Sequence, residues 1–331
     1  MPLQPSESAV HTNRPLTNIS VAFMQDQNEF IADKVIPNIS VQKKSDTFFT
    51  YDQAYWTADN AKKRAPSTKA PHGGYEISTD SYNCEKYSIG KAIADEVVAN
   101  ADSPLNPESE AAMWVARQLL IRKEILFAET YMATSVWATD KEGQDSVATD
   151  AVVYWDDYTN SNPIVDVRLQ SLRIQEATGY KPNTLVLTPD VKNKLLDHPD
   201  LLARINGGAT NVAPAFVTDA LLARAFDVPR VFTAGAIKNT AAEGQTKSNS
   251  FVMGAKALLL YVAPNPGLMT PSAAYNFSWT GFNSQVNNMG MYTKRYRDET
   301  IESIMVEGNM FFDMKVISTS LGCLFNNVIE E

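Results

Sequence analysis

At 331 residues, with 44% apolar and 10% aromatic content, the chain suits about two globular domains and is too apolar for general disorder. A formal net charge of −9 argues against a simple nucleic-acid binder, which needs a dominant basic surface. That charge fits either ordinary solubility or a container wall beside which a polyanion can lie without sticking. No window approaches the roughly 18 to 20 continuous apolar residues of a membrane span, and the polar, Pro-rich start MPLQPSESAVHTNRP is no signal peptide, so synthesis in the cytosol is expected. Cys84 and Cys323 lie far apart in strand-like contexts and read as structural thiols.

Residues 1–46 carry scattered apolar positions (Phe23, Phe30, Ile31, Val35, Ile36) without a sustained period, and only a short helical turn around Asn28 to Lys34 is predicted. The stretch reads as an arm whose Phe30, Ile31 and Ile36 want a docking surface. Phe48, Phe49, Tyr51, Tyr55 and Trp56 then predict an aromatic strand, a second strand runs from Tyr75 through Ile77, and Tyr87, Ile89 and Ile93 alternate as in a half-buried third. Between the first two lies TADNAKKRAPSTKAPHGG, far longer than the usual connection of about four to six residues. Its cations Lys62, Lys63, Arg64 and Lys69 outnumber Asp59. Strand arms of ten residues would carry this tip roughly 30 Å from its base, so it reads as a projecting hairpin with a basic end.

One long helix is predicted over about 107–133. Asn106 is a good N-cap, Pro107 suits the first turn, and Glu108 and Glu110 favour the positive end of the dipole. At 100° per residue Trp114, Ile121, Ile125 and Met132 form one apolar stripe, Val115, Leu119 and Leu126 a second, and Met113, Leu120, Phe127 and Tyr131 a third. Arg117, Arg122, Lys123, Glu124 and Glu129 fill the gaps. A helix resting on a single core shows one stripe. This rod of about 40 Å is therefore expected either at the centre of a large monomeric domain or partly covered by neighbouring copies, with Trp114 and Phe127 at the contact.

From Asn160 onward helix and strand alternate. Asn162-Pro163 opens a helix with Val165, Leu169 and Leu172 facing inward, ending at Gly179. TLVLT (184–188) is a buried strand, Thr188-Pro189-Asp190 starts a helix to Leu196, and Thr218 starts another to Phe226. Strands are predicted at Arg230 to Thr233 and Ala257 to Val262. The loops Asn206 to Pro214 and Asn239 to Ser250 read as exposed. The tail from Tyr292 to Val328 returns to strand character and resembles residues 75–100 in composition, so the two are read as sharing one sheet.

Chemistry is sparse. His11, His72 and His198 lack zinc-site spacing, neither cysteine has a partner, and no nucleophile elbow, P-loop or dinucleotide turn occurs. Asp156-Asp157 reads as a solvated turn. In Lys294-Arg295-Tyr296-Arg297 the charges alternate across a strand and acids follow at once, so Arg295 and Arg297 are expected to ion-pair with a neighbouring surface. No catalytic, metal-binding or cofactor-binding residue is assigned, and the chain is not expected to be an enzyme.

The order of parts and several strings, among them FIADKVIP, KKRAP, GGYEISTDSY, ANADSPLNPES, TSVW and NPIVDVRLQSLRIQEATGYKPNTLVLTPDVKNKL, resemble major capsid proteins of tailed bacteriophages with the Hong Kong 97-like fold. The resemblance covers most of the chain. It implies an α+β fold with an N-terminal arm (1–46), an extended β-hairpin or E-loop (47–92), a P-domain (93–150 and 286–331) with the spine helix, and an α/β A-domain (151–285).

The resemblance further implies pentamers and hexamers of an icosahedral virion head, assembled in the bacterial cytoplasm around double-stranded DNA held by non-specific proximity. E-loops would reach over adjacent subunits, and the loops 206–214 and 239–250 would lie at capsomer centres. Partners would be further copies of the chain, a portal, a decoration protein and, since the sequence starts almost at the arm, a separate scaffolding protein unless this is the mature form. No motif carries a lysine–asparagine isopeptide link over to Lys62, Lys63 or Lys69. An encapsulin-like protein compartment and a cytosolic oligomeric enzyme are the other classes considered.

Overall fold

The computed structural model describes residues 25–330 apart from 71, 102–104, 147, 149, 206–217, 243, 268 and 283–285. In chain order the helices are α1 (Ala32–Val35), α2 (Gln53–Thr57), α3 (Asp95–Ala99), α4 (Pro107–Tyr131), α5 (Pro163–Thr178), α6 (Pro189–Leu196), α7 (Pro199–Ile205) and α8 (Asp219–Phe226). The strands are β1 (Asn38–Val41), β2 (Ser45–Tyr51), β3 (Ile77–Asn83), β4 (Glu85–Ala94), β5 (Thr139–Gln144), β6 (Ala151–Val153), β7 (Thr184–Leu187), β8 (Arg230–Thr233), β9 (Ile237–Asn239), β10 (Asn249–Phe251), β11 (Ala257–Leu260), β12 (Ala274–Trp279), β13 (Met291–Asp298), β14 (Ser303–Val316) and β15 (Gly322–Asn326).

Two larger sheets organise these elements. The inner, α/β sheet runs β6-β5-β15-β11-β7-β8, with β11 antiparallel to both of its neighbours. Its central strands are continuous apolar runs, and β7 and β11 are buried throughout, as strands covered on both faces must be. The outer sheet runs β1-β12-β14-β13, with β4 also on β14. One half of the long β14 lies between β13 and β4, and the other half pairs with β12. The expected sharing of a sheet between the tail and residues 75–100 is met by the ten-residue pairing of β4 with β14.

The pairing shifts the expected divisions. β5 and β15 belong to the α/β sheet, whereas β12, placed with the A-domain by sequence, belongs to the outer sheet. β4 lies in the outer sheet, so the free hairpin is β2 with β3 and stops at Asn83 instead of 92. Composition marks all of these segments as strands. It cannot say which sheet completes them.

The long helix α4 forms as its caps require. The Asn106 side chain accepts from the Ser109 N–H at 3.1 Å and Pro107 occupies the first turn. Its inward face is a ladder at helical spacing: Ala111, Val115, Leu119, Lys123, Phe127 and Tyr131. Gly308 on β14 permits the approach, since a Cβ there would stand 2.3 Å from Val115 Cγ1. Part of the apolar girth is covered within the chain, because Phe127 and Tyr131 of the third stripe are buried in the α/β core.

Helix α5 has the expected limits, with Gly179 in the left-handed region (φ +77°) accepting the chain reversal. Its facing is a correction. Ile164, Val167 and Ile174 point inward, and Leu169 and Leu172 are exposed. Both faces carry apolar residues at helical spacing. The buried one is interrupted by Gln170, Ser171 and Thr178, which made the outer stripe look like the core.

Candidate assembly surface

Two regions that sequence marked for contact with neighbours behave in opposite ways. The first is the hairpin. β2 and β3 pair over seven residues from Ser45↔Asn83 to Tyr51↔Ile77, and the foot is anchored by Tyr82 stacked on Phe277 at 4.7 Å and by buried Cys84. Beyond Tyr51 the chain does not continue as a strand. The Asp52 carboxylate accepts from the Ala54 N–H at 2.9 Å and opens α2, so Tyr55 and Trp56 sit on a helical turn and not on the predicted aromatic strand.

Trp56 packs on Tyr75 at 5.3 Å and on Tyr51 at 6.3 Å. Even so, Trp56 is 55% exposed, Tyr75 56%, Ile77 51%, Phe49 66% and Tyr55 38%. Five large apolar side chains left in water on one projection form a patch that a monomer does not use. Past it, Lys62, Lys63, Arg64 and Lys69 are exposed and form no ion pair among the described residues. One hydrogen bond, from Gln53 Nε2 to the Ala177 carbonyl at 2.7 Å, rests the turn on the end of α5.

The second region is the arm, where the described part corrects the sequence reading. Phe30, Ile31 and Ile36 are buried, and Ile31, Val35 and Ile36 join the α/β core of the same chain, so Phe30 and Ile36 are not free for a neighbour. Residues 25–41 form a strap. The Gln25 side chain pairs with the Ile237 backbone in both directions, and the Gln25 carbonyl accepts from Arg117 on α4. Asn38 meets Asn276 and Ser278 in the outer sheet.

The centre of the strap is held by charge. Both Glu124 oxygens accept backbone N–H groups, Ile31 at 3.0 Å and Ala32 at 3.1 Å, which caps α1. Lys123 pairs with Asp33 and lies 5.3 Å from the Phe312 ring centre. Burial pushes the Glu124 carboxyl up to about 7, against the opposing pull of the two N–H donors. Sequence reading placed Lys123 and Glu124 among gap-filling charges. The available signal was Lys123 in register with Leu119 and Phe127, four residues away on either side.

Three other candidate contacts divide. Trp114, with Met113, remains exposed near the start of α4, while Phe127 is fully buried in its own chain, which corrects its assignment. Arg295 and Arg297 pair within the chain and not with a neighbouring surface: Arg295 with Glu108 at 2.8 Å, Arg297 with Asp95 at 2.6 Å and Glu299 at 2.8 Å. The loop 206–214 lies outside the described residues. Within 239–250, β9 and β10 form a short antiparallel pair, and residue 243 is likewise outside.

The side chains most like a catalytic pair have another use. Ser161 Oγ and His198 Nε2 are 3.1 Å apart and buried, but His198 Nδ1 accepts from the Asp200 N–H. The proton of the neutral ring is therefore on Nε2, which donates to Ser161, and Ser161 donates to the Asp157 carbonyl. Burial lowers the His198 pKa and keeps the ring neutral. A serine held this way is a donor to backbone, with no base to take its proton. Burial also pushes both cysteine thiols up to about 12. Among the described residues no cluster of His, Cys, Asp and Glu is placed to hold a metal ion, and no helix is long and apolar enough to cross a membrane.

No family model matches the sequence, and no curated protein matches it. Solved structures do match its fold. A phage-related protein from Bordetella bronchiseptica RB50 aligns with a TM-score of 0.64 at 18% identity, over 92% of this chain and 93% of the other. The capsid of cyanophage P-SCSP1u aligns with a TM-score of 0.60 at 12% identity, over 98% and 99%. An encapsulin complex from Synechococcus elongatus PCC 7942 aligns with a TM-score of 0.54 at 10% identity, over 96% and 93%. The chain has the α+β fold of these structures, the Hong Kong 97-like fold expected from sequence.

Proposed function

We propose that this chain is the major capsid protein of a tailed bacteriophage, self-assembling into the pentamers and hexamers of an icosahedral head that encloses double-stranded DNA. One observation carries the reading beyond fold. A capsid-type subunit holds an aromatic hairpin with a basic end clear of its own core, and that surface is accounted for once a neighbouring copy covers it. Assembly draws on burial of this apolar surface at about 25 cal/mol per Å², with charge setting register more than affinity. The role is structural and not enzymatic, and Ser161 should stay unlabelled by a fluorophosphonate. Scaffolding, portal and decoration proteins are the further partners of this reading, with the host cytoplasm as the place of assembly.

Deleting residues 58–74 removes the basic tip and spares every strand of both larger sheets. The shortened protein should remain folded and soluble, yet form no shells in negative-stain images. Normal shells from it would refute the hairpin's role. Particles from the full chain should protect DNA from nuclease, whereas protein cargo without protected DNA would favour the encapsulin-like compartment. A small discrete oligomer with no large particle would favour the enzyme class.

A further inference from the structure

One buried ring joins three elements of the α/β domain, and its hydrogen bonds fix its protonation state. His198 stands between α6 and α7 and is the N-cap of α7. Its carbonyl accepts from the Leu202 N–H at 3.1 Å, and its Nδ1 accepts from the Asp200 N–H at 3.2 Å. Pro199, in the first turn of α7, has no N–H to offer, so the ring meets one of the few donors that this helix leaves open. On the other side Nε2–H reaches Ser161 Oγ at 3.1 Å, in the turn that leads into α5. Ser161 in turn donates to the Asp157 carbonyl at 2.6 Å. Tyr158 closes over the ring edge-on, 5.6 Å between centres, and donates to the Lys194 carbonyl near the end of α6.

Such a cap works only while Nδ1 keeps its lone pair. A second proton on the ring would set N–H against N–H and place a cation at the positive end of α7. The ring is fully buried, so no solvent stands by to hydrate that charge. Most charges nearby have other partners. Lys194 on α6 pairs with Asp156 at 3.6 Å, Lys192 pairs with Asp219, and the Asp157 carboxylate accepts from the Thr159 and Asn160 amides. Asp197 and Arg204 are exposed. Asp200 on α7 draws the ring toward its charged form, but burial outweighs it and holds the His198 pKa below its ordinary 6.5.

We propose that His198 is an acid-released lock on this corner: a proton on Nδ1 undoes the cap of α7, and the ring, in turning out to water, gives up Ser161 as well. Opening of α7 uncovers Leu201, whose side chain is fully buried in the α/β core. Acid thus exposes apolar surface that the subunit keeps closed at neutral pH. The direction follows from linkage. An open corner titrates at the ordinary 6.5, whereas the closed one resists the proton. Closure is therefore at full strength above that value and weakens as pH falls below it, by up to about tenfold per pH unit until the closed ring itself protonates. The lock belongs to the single subunit and holds with or without the shell reading.

Hydrogen exchange of the full chain tests this, with each rate corrected for its intrinsic dependence on pH. Protection of the Asp200 and Leu202 amides should fall about tenfold or more from pH 7.5 to pH 5, while that of the β7 and β11 amides changes by less than about twofold. His198→Asn keeps a side-chain acceptor at the cap and has nothing to titrate there, so its protection should stay level across the same range. Level protection in the unaltered chain overturns the inference. An equal fall in a folded His198→Asn protein also overturns it, by assigning the effect to a carboxylate such as Asp200. Should that variant melt without a cooperative transition, the ring resonances of His198 in the unaltered chain decide. Ring protonation should coincide with the loss of protection, and a ring that takes up its proton while the Asp200 amide stays protected overturns the lock.

Discussion

β11 and the hairpin strands β2 and β3 are all extended, but only β11 is completed by its own chain. Ala257 to Leu260 have a strand on each side and side chains packed on both faces, with no exposure at any position. The hairpin pairs only with itself, and past its foot it keeps Phe49, Trp56, Tyr75 and Ile77 in water. A two-stranded hairpin without a third strand or a covering helix is marginal alone. The difference separates two kinds of apolar residue in one sequence. Some are covered by the chain's own fold, and some are left exposed by it.

The sharpest break of that contrast is on the side of the self-sufficient core. Trp155 is fully buried, lies 5.3 Å from Phe325 and donates through Nε1 to Asp166 at 3.1 Å. Trp155→Ala leaves a large cavity and a carboxyl whose pKa burial has already raised to about 6, now without its donor. The expected loss is about 3 to 5 kcal/mol of folding stability, read as a lower melting temperature or denaturant midpoint of the whole chain. Trp155→Phe, which refills most of the volume, should recover much of it. A change below about 1 kcal/mol for the alanine variant would mean that this core is looser than its burial implies.

Much of the core was legible because its signals are local. Asn106-Pro107, Asn162-Pro163 and Thr188-Pro189 each start the helix they predict, and TLVLT is the buried strand expected of an unbroken apolar run. What failed depends on facts at a distance. The sheet that completes β15 is fixed by its pairing with β5 across residues about 180 positions apart in the chain. The inward face of α5 was hidden because Ser171 and Thr178 pack there while Leu169 and Leu172 do not. Phe30 and Ile36 show the limit for function. An apolar residue in an irregular segment announces that it will be covered, and only the fold says by which molecule.

The strap lies between the two extremes, and a proton can measure it. When residues 25–41 are docked, burial holds the Glu124 carboxyl near 7, whereas a released strap would return it toward its ordinary 4.5. The docked state therefore takes up a proton more readily between those values. Its stabilisation is fully present below about 4.5 and is lost as pH rises through about 7, a change of order 3 kcal/mol at most. Lys123 on the same helix opposes the shift and Asp33 on α1 adds to it. Hydrogen exchange at the Ile31 and Ala32 amides should quicken from pH 6 to pH 8 beyond the intrinsic base-catalysed rise, while the amides of β7 and β11 follow that rise alone. Glu124→Gln should abolish the excess. An excess that persists in the glutamine variant would assign the effect to another group.

Trp56 should give the smallest effect on the subunit and for that reason the most informative one. The residue is more than half exposed and packs on the rings of Tyr51 and Tyr75, its own hairpin neighbours. Trp56→Ala removes no part of either larger core and should shift the folding stability of dispersed subunits by no more than about 0.5 kcal/mol. If the side chain belongs to the next copy's surface, the same substitution removes a large aromatic anchor from every contact in a shell, where such anchors commonly cost 2 kcal/mol or more each. The midpoint concentration for assembly, followed by light scattering, should then rise at least about tenfold per lost 1.4 kcal/mol while the melting curve of the subunit stays in place. A substitution that moved both by the same free energy would show that Trp56 serves its own hairpin, and the contrast between β11 and the hairpin would narrow to one of degree.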